Sequence, residues 1–198
     1  MKFSESAKTN NISGNGLPQP TLTEVESNGL RLKDVENQTD EICLAAVKQE
    51  GYALRYVKEQ TPELCMAAVE QDGGALYNVR KQTPEICLAA VNKDGYALRH
   101  VKKQTPEICL AAVEQNGLAL LYVKEQTPEI CMAAVSRNGE VLNRVINQTP
   151  EICLAAVEQD GYALEYVNEQ TREICLAAVE QAEHAFRHVD ETIYKLKK

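Results

Sequence analysis

Cys43, Cys65, Cys87, Cys109, Cys131, Cys153 and Cys175 stand 22 residues apart along the whole series. Thiols in register have four uses: a disulfide ladder, a metal array, a row of nucleophiles, or packing. Equivalent residues of stacked helical units lie roughly 8–10 Å apart, and a disulfide needs Cα atoms closer than about 7 Å. Structural zinc wants four converging ligands, usually from paired Cys or His. Here no repeat has two cysteines. His184 and His188, at i and i+4, are a two-ligand start with no third ligand in view; His100 is the remaining histidine. A catalytic thiol needs a nearby base or cation and some exposure. These thiols instead sit between apolar neighbours, as in "EICLAAV" at 107–113. The packing role is favoured, with Cys as a small buried hydrophobe. No Gly-rich phosphate loop and no Ser/His/Asp set is present. The sequence therefore assigns no catalytic residue, metal ligand or cofactor, and reads as a non-enzyme.

The elements that position the thiols repeat with them. Seven units run 38–59, 60–81, 82–103, 104–125, 126–147, 148–169 and 170–191. Each opens on a helix start: Thr61 as N-cap, Pro62 at the first helical position, Glu63 against the positive end of the helix dipole. Asp72-Gly73 reads as a left-handed C-cap that ends the helix. A shorter helix, such as 162–169, then stops before the next Thr-Pro. Each unit is thus a helix of about ten residues, a turn, and a helix of about seven. Isolated helices this short are marginal, so they must be covered by neighbours. The expected fold is all-α: a solenoid of seven 22-residue helix-turn-helix repeats, right- or left-handed. A leucine-rich β-solenoid is disfavoured because Thr-Pro-Glu and Asp-Gly are helix caps and Ala-Ala is a poor strand. Paired alanines such as Ala111-Ala112 let helices approach closely. The glutamine that opens each unit, Gln38 through Gln170, is expected to bond between units. Residues 1–20 read as a flexible lead and 21–37 as a half-repeat cap, with Val25, Gly29, Leu32 and Val35 in register. Residues 192–198 read as a basic tail carrying Lys195, Lys197 and Lys198.

The net charge of −8 argues against direct nucleic-acid binding, which begins with a basic footprint. No apolar run approaches a membrane span, and the N-terminal stretch has no secretory signal. An odd cysteine count without such a signal points to a reducing compartment, and the expected location is cytoplasmic.

The pattern "PEICLAAVEQDGYALEYV" at 150–167 resembles the short helical repeats catalogued as domain of unknown function 4116, found in bacterial and giant-virus proteins. The resemblance covers about residues 22–191 and implies a repeat scaffold with no established activity. The chain departs from that pattern in its cysteine at every unit, where mostly Ala is expected. It departs again in unit 170–191, where Arg172 and Ala182-Glu183 suggest a C-terminal cap.

Gln, Thr, Glu, Cys, Ala-Ala and the first Val recur in all seven units. Three positions of the second helix vary most. The first holds Tyr52, Gly74, Tyr96, Leu118, Glu140, Tyr162 and His184. The second holds Arg55, Tyr77, Arg99, Leu121, Asn143, Glu165 and Arg187. The third holds Tyr56, Asn78, His100, Tyr122, Arg144, Tyr166 and His188. In an α-helix the first and third share a face, and Tyr and Arg are favoured at binding hot spots. The candidate binding face is therefore Tyr52, Tyr56, Tyr96, His100, Tyr122, Arg144, Tyr162 and Tyr166. The competing reading makes these tyrosines cover for the seams between units. Charge varies as well. Unit 82–103 carries +2, while units 148–169 and 170–191 carry −5 and −3. Glu158, Asp160, Glu165, Glu169, Glu180 and Glu183 form a candidate acidic patch, suited to steering a basic partner. The leading expectation is a protein-binding scaffold. The alternatives are a structural or self-associating spacer, and an acidic decoy for a nucleic-acid-binding protein.

Overall fold

The computed structural model describes residues 19–191 and 193, and the tail lysines Lys195, Lys197 and Lys198 lie outside them. The chain is all-helical over the described residues, with the same two elements repeated. α1 (Leu22–Ser27) is short, and α2 (Asp40–Gln49) to α8 (Arg172–Gln181) each run ten residues, one per unit. Their starts are as the sequence dictates. In every unit the threonine accepts a hydrogen bond from the backbone N–H three residues on, as Thr105 does from Ile108. Pro84, Pro106, Pro128 and Pro150 occupy the first turn, where a missing N–H costs nothing.

The second element is not the expected α-helix. It is a six-residue 3-10 helix, as in Gly95–His100 and Gly161–Tyr166. Its buried residues explain why. Gly95 and Leu98 stand one three-residue turn apart with Ala97 buried beside them, and the extended Val101 that closes the helix returns to the core three residues further on. An α-helix at 3.6 per turn would swing Val101 off the core.

The turn also differs from expectation. Asp72 is extended, at φ −145° and ψ 116°, and none of the glycines among the described residues takes a positive φ. The residue that ends the α-helix is the N-cap of the 3-10 helix. Asp72 Oδ1 accepts from Gly74 N–H at 2.7 Å, and Asp94, Asn116, Asn138 and Asp160 repeat the bond one unit at a time. Glycine follows because of close approach, not conformation. A Cβ on Gly95 would lie 2.6 Å from the Ala112 carbonyl oxygen of the next unit's helix, and one on Gly139 would lie 2.5 Å from that of Ala156. In unit 170–191 this position is Glu183, where no further unit is stacked among the described residues.

Units stack on nearest neighbours only. Each α-helix packs on the next α-helix, on its own 3-10 helix and on that of the preceding unit. One continuous core results. In the interior units it takes the Ile or Leu before each cysteine, the cysteine, the second alanine and the valine of the α-helix, together with the Ala (Val141 in one unit) and Leu of the 3-10 helix and most of the valines that follow it; the first and last units contribute fewer. Val25, Leu32 and Val35 of the half-repeat join it. Neither element buries enough apolar surface alone, so stability resides in the interfaces.

Gly95→Ala should lower stability by about 1–3 kcal/mol, although at a negative φ such a change would ordinarily stabilise by reducing unfolded-state freedom. Glu183→Ala, at the uncrowded equivalent position, should not lower it. Urea unfolding followed by circular dichroism checks both.

Candidate functional site

Two glutamine columns hold the edges of the stack. On the Thr-Pro edge, Gln104 uses its whole amide. Its Nε2 donates to Leu98 O at 3.5 Å and Tyr122 O at 2.8 Å. Its Oε1 accepts from Lys124 N–H at 3.0 Å and from the Cys109 thiol at 3.6 Å. The amide joins its own loop to the next one and ties both to the preceding 3-10 helix. The thiol contact repeats in all seven units. Its inter-unit bond is the one to Leu98 O in the preceding unit, and the same bond recurs from Gln38, Gln60, Gln82, Gln148 and Gln170, while the bonds of Gln126 to Arg144, Cys131 and Ile146 stay within its own unit. The thiols are free and buried, and each also donates a hydrogen bond that the sequence does not announce. In the half-repeat, Gln19 takes over the function, its Oε1 accepting from Glu36 N–H at 3.1 Å.

The opposite edge has a second column. Gln115 Oε1 accepts from Gly95 N–H at 2.7 Å, capping the 3-10 helix of the unit before it. Gln49, Gln71, Gln159 and Gln181 do the same. Lys93 and Arg137 hold this position in two units and have no acceptor to offer. The sequence carries the signal, a glutamine at the end of most of the ten-residue helices, but it reads there as an ordinary solvated residue.

Burial pushes all seven thiols above their ordinary value of 9.0. They are therefore poor nucleophiles and poor metal ligands at neutral pH. Among the described residues no three His, Cys, Asp or Glu side chains converge as a metal set would. His184 and His188 lie on a 3-10 helix, where four residues correspond to a turn of about 120° beyond a full circle. They do not share a face, and the His188 ring instead meets Tyr162 edge-on at 6.5 Å.

The same geometry rearranges the candidate binding face. The first and third variable positions of one unit diverge. The first position of a unit instead reaches the third position of the next: Tyr96 meets Tyr122 at 6.0 Å, edge-on. The Tyr52 hydroxyl fills the space that a side chain at Gly74 would need. Tyr52, Tyr56, Tyr96, His100, Tyr122 and Tyr166 are half-buried, while Arg144 and Tyr162 are exposed. His100 Nε2 accepts from Arg99 Nε at 2.9 Å, and burial together with that guanidinium holds the imidazole below its ordinary value. The second variable position points outward in every unit, with Tyr77 71% exposed.

The six acidic candidates do not converge. Glu158 and Glu180 are equivalent exposed residues near the ends of α7 and α8. Glu165 lies in the outward position, Glu169 in the loop on the Thr-Pro edge and Glu183 at the opposite turn. Asp160 is engaged as the cap of Tyr162. No helix of the described residues is long and apolar enough to cross a membrane.

The family described as Domain of unknown function (DUF4116) matches the chain four times, at residues 83–126, 105–148, 127–171 and 149–194, two units to a match. No curated protein and no solved structure matches the chain.

Gln104→Leu should cost about 2–3 kcal/mol, since it strands several backbone groups, whereas Gln115→Leu, which removes one bond, should cost about 1 kcal/mol. Thermal melts of the two variants rank them. The raised thiol values also fix a sign. Unfolded thiols ionise above about 9.0 and native ones resist, so stability is full below that pH and declines as pH rises through the native values. A melt series from about pH 8 to about pH 10.5 should show a falling midpoint.

Proposed function

For a chain that belongs to the DUF4116 repeat family, we propose a non-enzymatic scaffold that binds a protein partner through the outward row of its 3-10 helices. One observation carries this reading. Arg55, Tyr77, Arg99, Leu121, Asn143, Glu165 and Arg187 occupy one exposed slot in seven otherwise matching units, and five residue types fill it. A purely structural slot needs no such variety. Tyr77 and Leu121 supply apolar contact area on either side of Arg99, and the arginines supply directional donors. Half-buried Tyr96 and Tyr122 stiffen the row from beneath. The −5 and −3 units at the C-terminal end give the scaffold an attraction for a basic partner, which steers encounter rather than holding the complex.

The test is affinity capture from a lysate of the source organism, comparing the wild-type chain with a Tyr77→Ala/Leu121→Ser variant. Both side chains are exposed, so the helical signal should be unchanged. A partner retained by the wild type and reduced at least about tenfold by the variant supports the outward row. A partner bound equally by both, or no partner at all, shifts the reading to a spacer.

A further inference from the structure

A line of cations runs along the Thr-Pro edge. Lys58, Arg80, Lys102 and Lys124 occupy equivalent positions in four successive units, and each reaches back to the loop before it. Arg80 Nη1 donates to Lys58 O at 2.7 Å and Nη2 to Val57 O at 3.0 Å. Lys102 Nζ donates to Arg80 O at 3.0 Å, and Lys58 Nζ to Glu36 O at 2.6 Å. These bonds lay the side chains along the edge and fix their charge there, with donors to spare on each head group. Lys81 and Lys103 add a second exposed row beside them. The ion pairs among the described residues join Arg31 to Glu24 and Asp34, and no carboxylate pairs with Arg80, Lys81, Lys102 or Lys103.

Beside these cations the edge is hollow. A furrow of about 410 Å³ is lined by three cations, Lys58, Arg80 and Lys81, by one carboxylate, Glu59, and by Pro62, Cys65 and Ile86. Another, of about 230 Å³, lies against Lys102, Lys124, Glu125 and Pro106, so that cations outnumber carboxylates two to one along its wall. The bounds are chemical. The column of cations ends at Lys124, followed by Ile146, which is 72% exposed where the preceding units carry a cation, and Lys81 and Lys103 stand where the flanking units carry Glu59 and Glu125.

We infer that this edge, over residues 58–124, is a docking groove for a short acidic peptide in extended conformation. Charge complementarity selects the ligand's sign. The furrow floor selects its class: neither furrow is lined by an aromatic ring, and single-stranded nucleic acid relies on such rings for stacking. The repeat selects its spacing. Units stack at roughly 8–10 Å, and three residues of polyproline II span about 9.3 Å. A carboxylate at every third residue therefore meets one unit after another. The groove lies on a different edge from the outward row of the 3-10 helices, so the two readings stand or fall separately.

The experiment is fluorescence anisotropy with the full chain and a labelled peptide of about nine residues, carrying Glu at every third position among Pro and Ala. The same peptide with Gln for Glu, and a single-stranded RNA of equal charge, are run beside it. The wild type binds the Glu peptide and not the Gln peptide, and moderate salt weakens the complex. Lys81→Glu/Lys103→Glu lowers affinity at least about tenfold, and Lys81→Gln/Lys103→Gln lowers it less. Lys48→Glu/Lys93→Glu, an equal charge change outside the groove, leaves affinity within about twofold. Lys81 and Lys103 carry none of the hydrogen bonds that hold the loops, so the folded signal serves as an internal check. The inference is overturned if the Glu peptide does not bind, if it binds regardless of Lys81 and Lys103, or if the RNA binds as tightly through the same lysines.

Discussion

A stack of very short helices has a polar problem before it has a hydrophobic one. Each unit turns the chain twice within 22 residues, and each turn leaves backbone N–H and C=O groups that no helix satisfies. Buried or half-buried, such groups cost about as much as the core gains per residue. The glutamine at the head of each unit removes that cost on one edge: in six units its amide nitrogen makes two donations and its oxygen accepts two, as at Gln104, and Gln126 makes the same set without the bond to the preceding leucine carbonyl. The rest follows from where this amide must sit. Its oxygen needs a second donor in an apolar wall, and a cysteine thiol is small enough to fit and polar enough to donate. The register of the seven thiols is thus the register of the seven amides.

Much of this was legible in the residues. The period, the Thr-Pro-Glu starts and the ten-residue α-helices follow from capping chemistry that is local and strong. The glutamine that opens each unit could be read as an inter-unit bond because it never changes. The second helix was misread because six residues hold too few turns for periodicity to separate three residues per turn from 3.6. Only the spacing of Gly95, Leu98 and Val101 distinguishes them. The glycine was misread because Asp-Gly is a strong local signal for a left-handed cap, whereas its actual cause, the Ala112 carbonyl of the next unit, is a tertiary contact 17 residues away in sequence.

The candidate surface was legible in part, for the same reason. Sequence comparison between units finds which positions vary, but assigning them to a face requires the right helix. On an α-helix Tyr162 and Tyr166 would stand together; on a 3-10 helix they part, and Tyr162 leans toward His188 in the neighbouring unit. The position between them, carrying Arg55, Tyr77 and Leu121, is the one that is exposed in every unit. The cations of the Thr-Pro edge were hidden by bookkeeping: unit totals of −1, −1, +2 and −2 across 38–125 mask a column that is uniformly positive.

Glu183 bears on how such an array changes its length. Every junction in the stack needs a bare Cα against the carbonyl of the unit that follows, and Glu183 presents a Cβ there. A gene duplication that set a new unit immediately after 170–191 would meet that obstruction. One that copied any unit between 60 and 169 would bring a glycine with it and slot into place. Lengthening past the Glu183 face therefore carries a steric cost that an insertion between interior units does not.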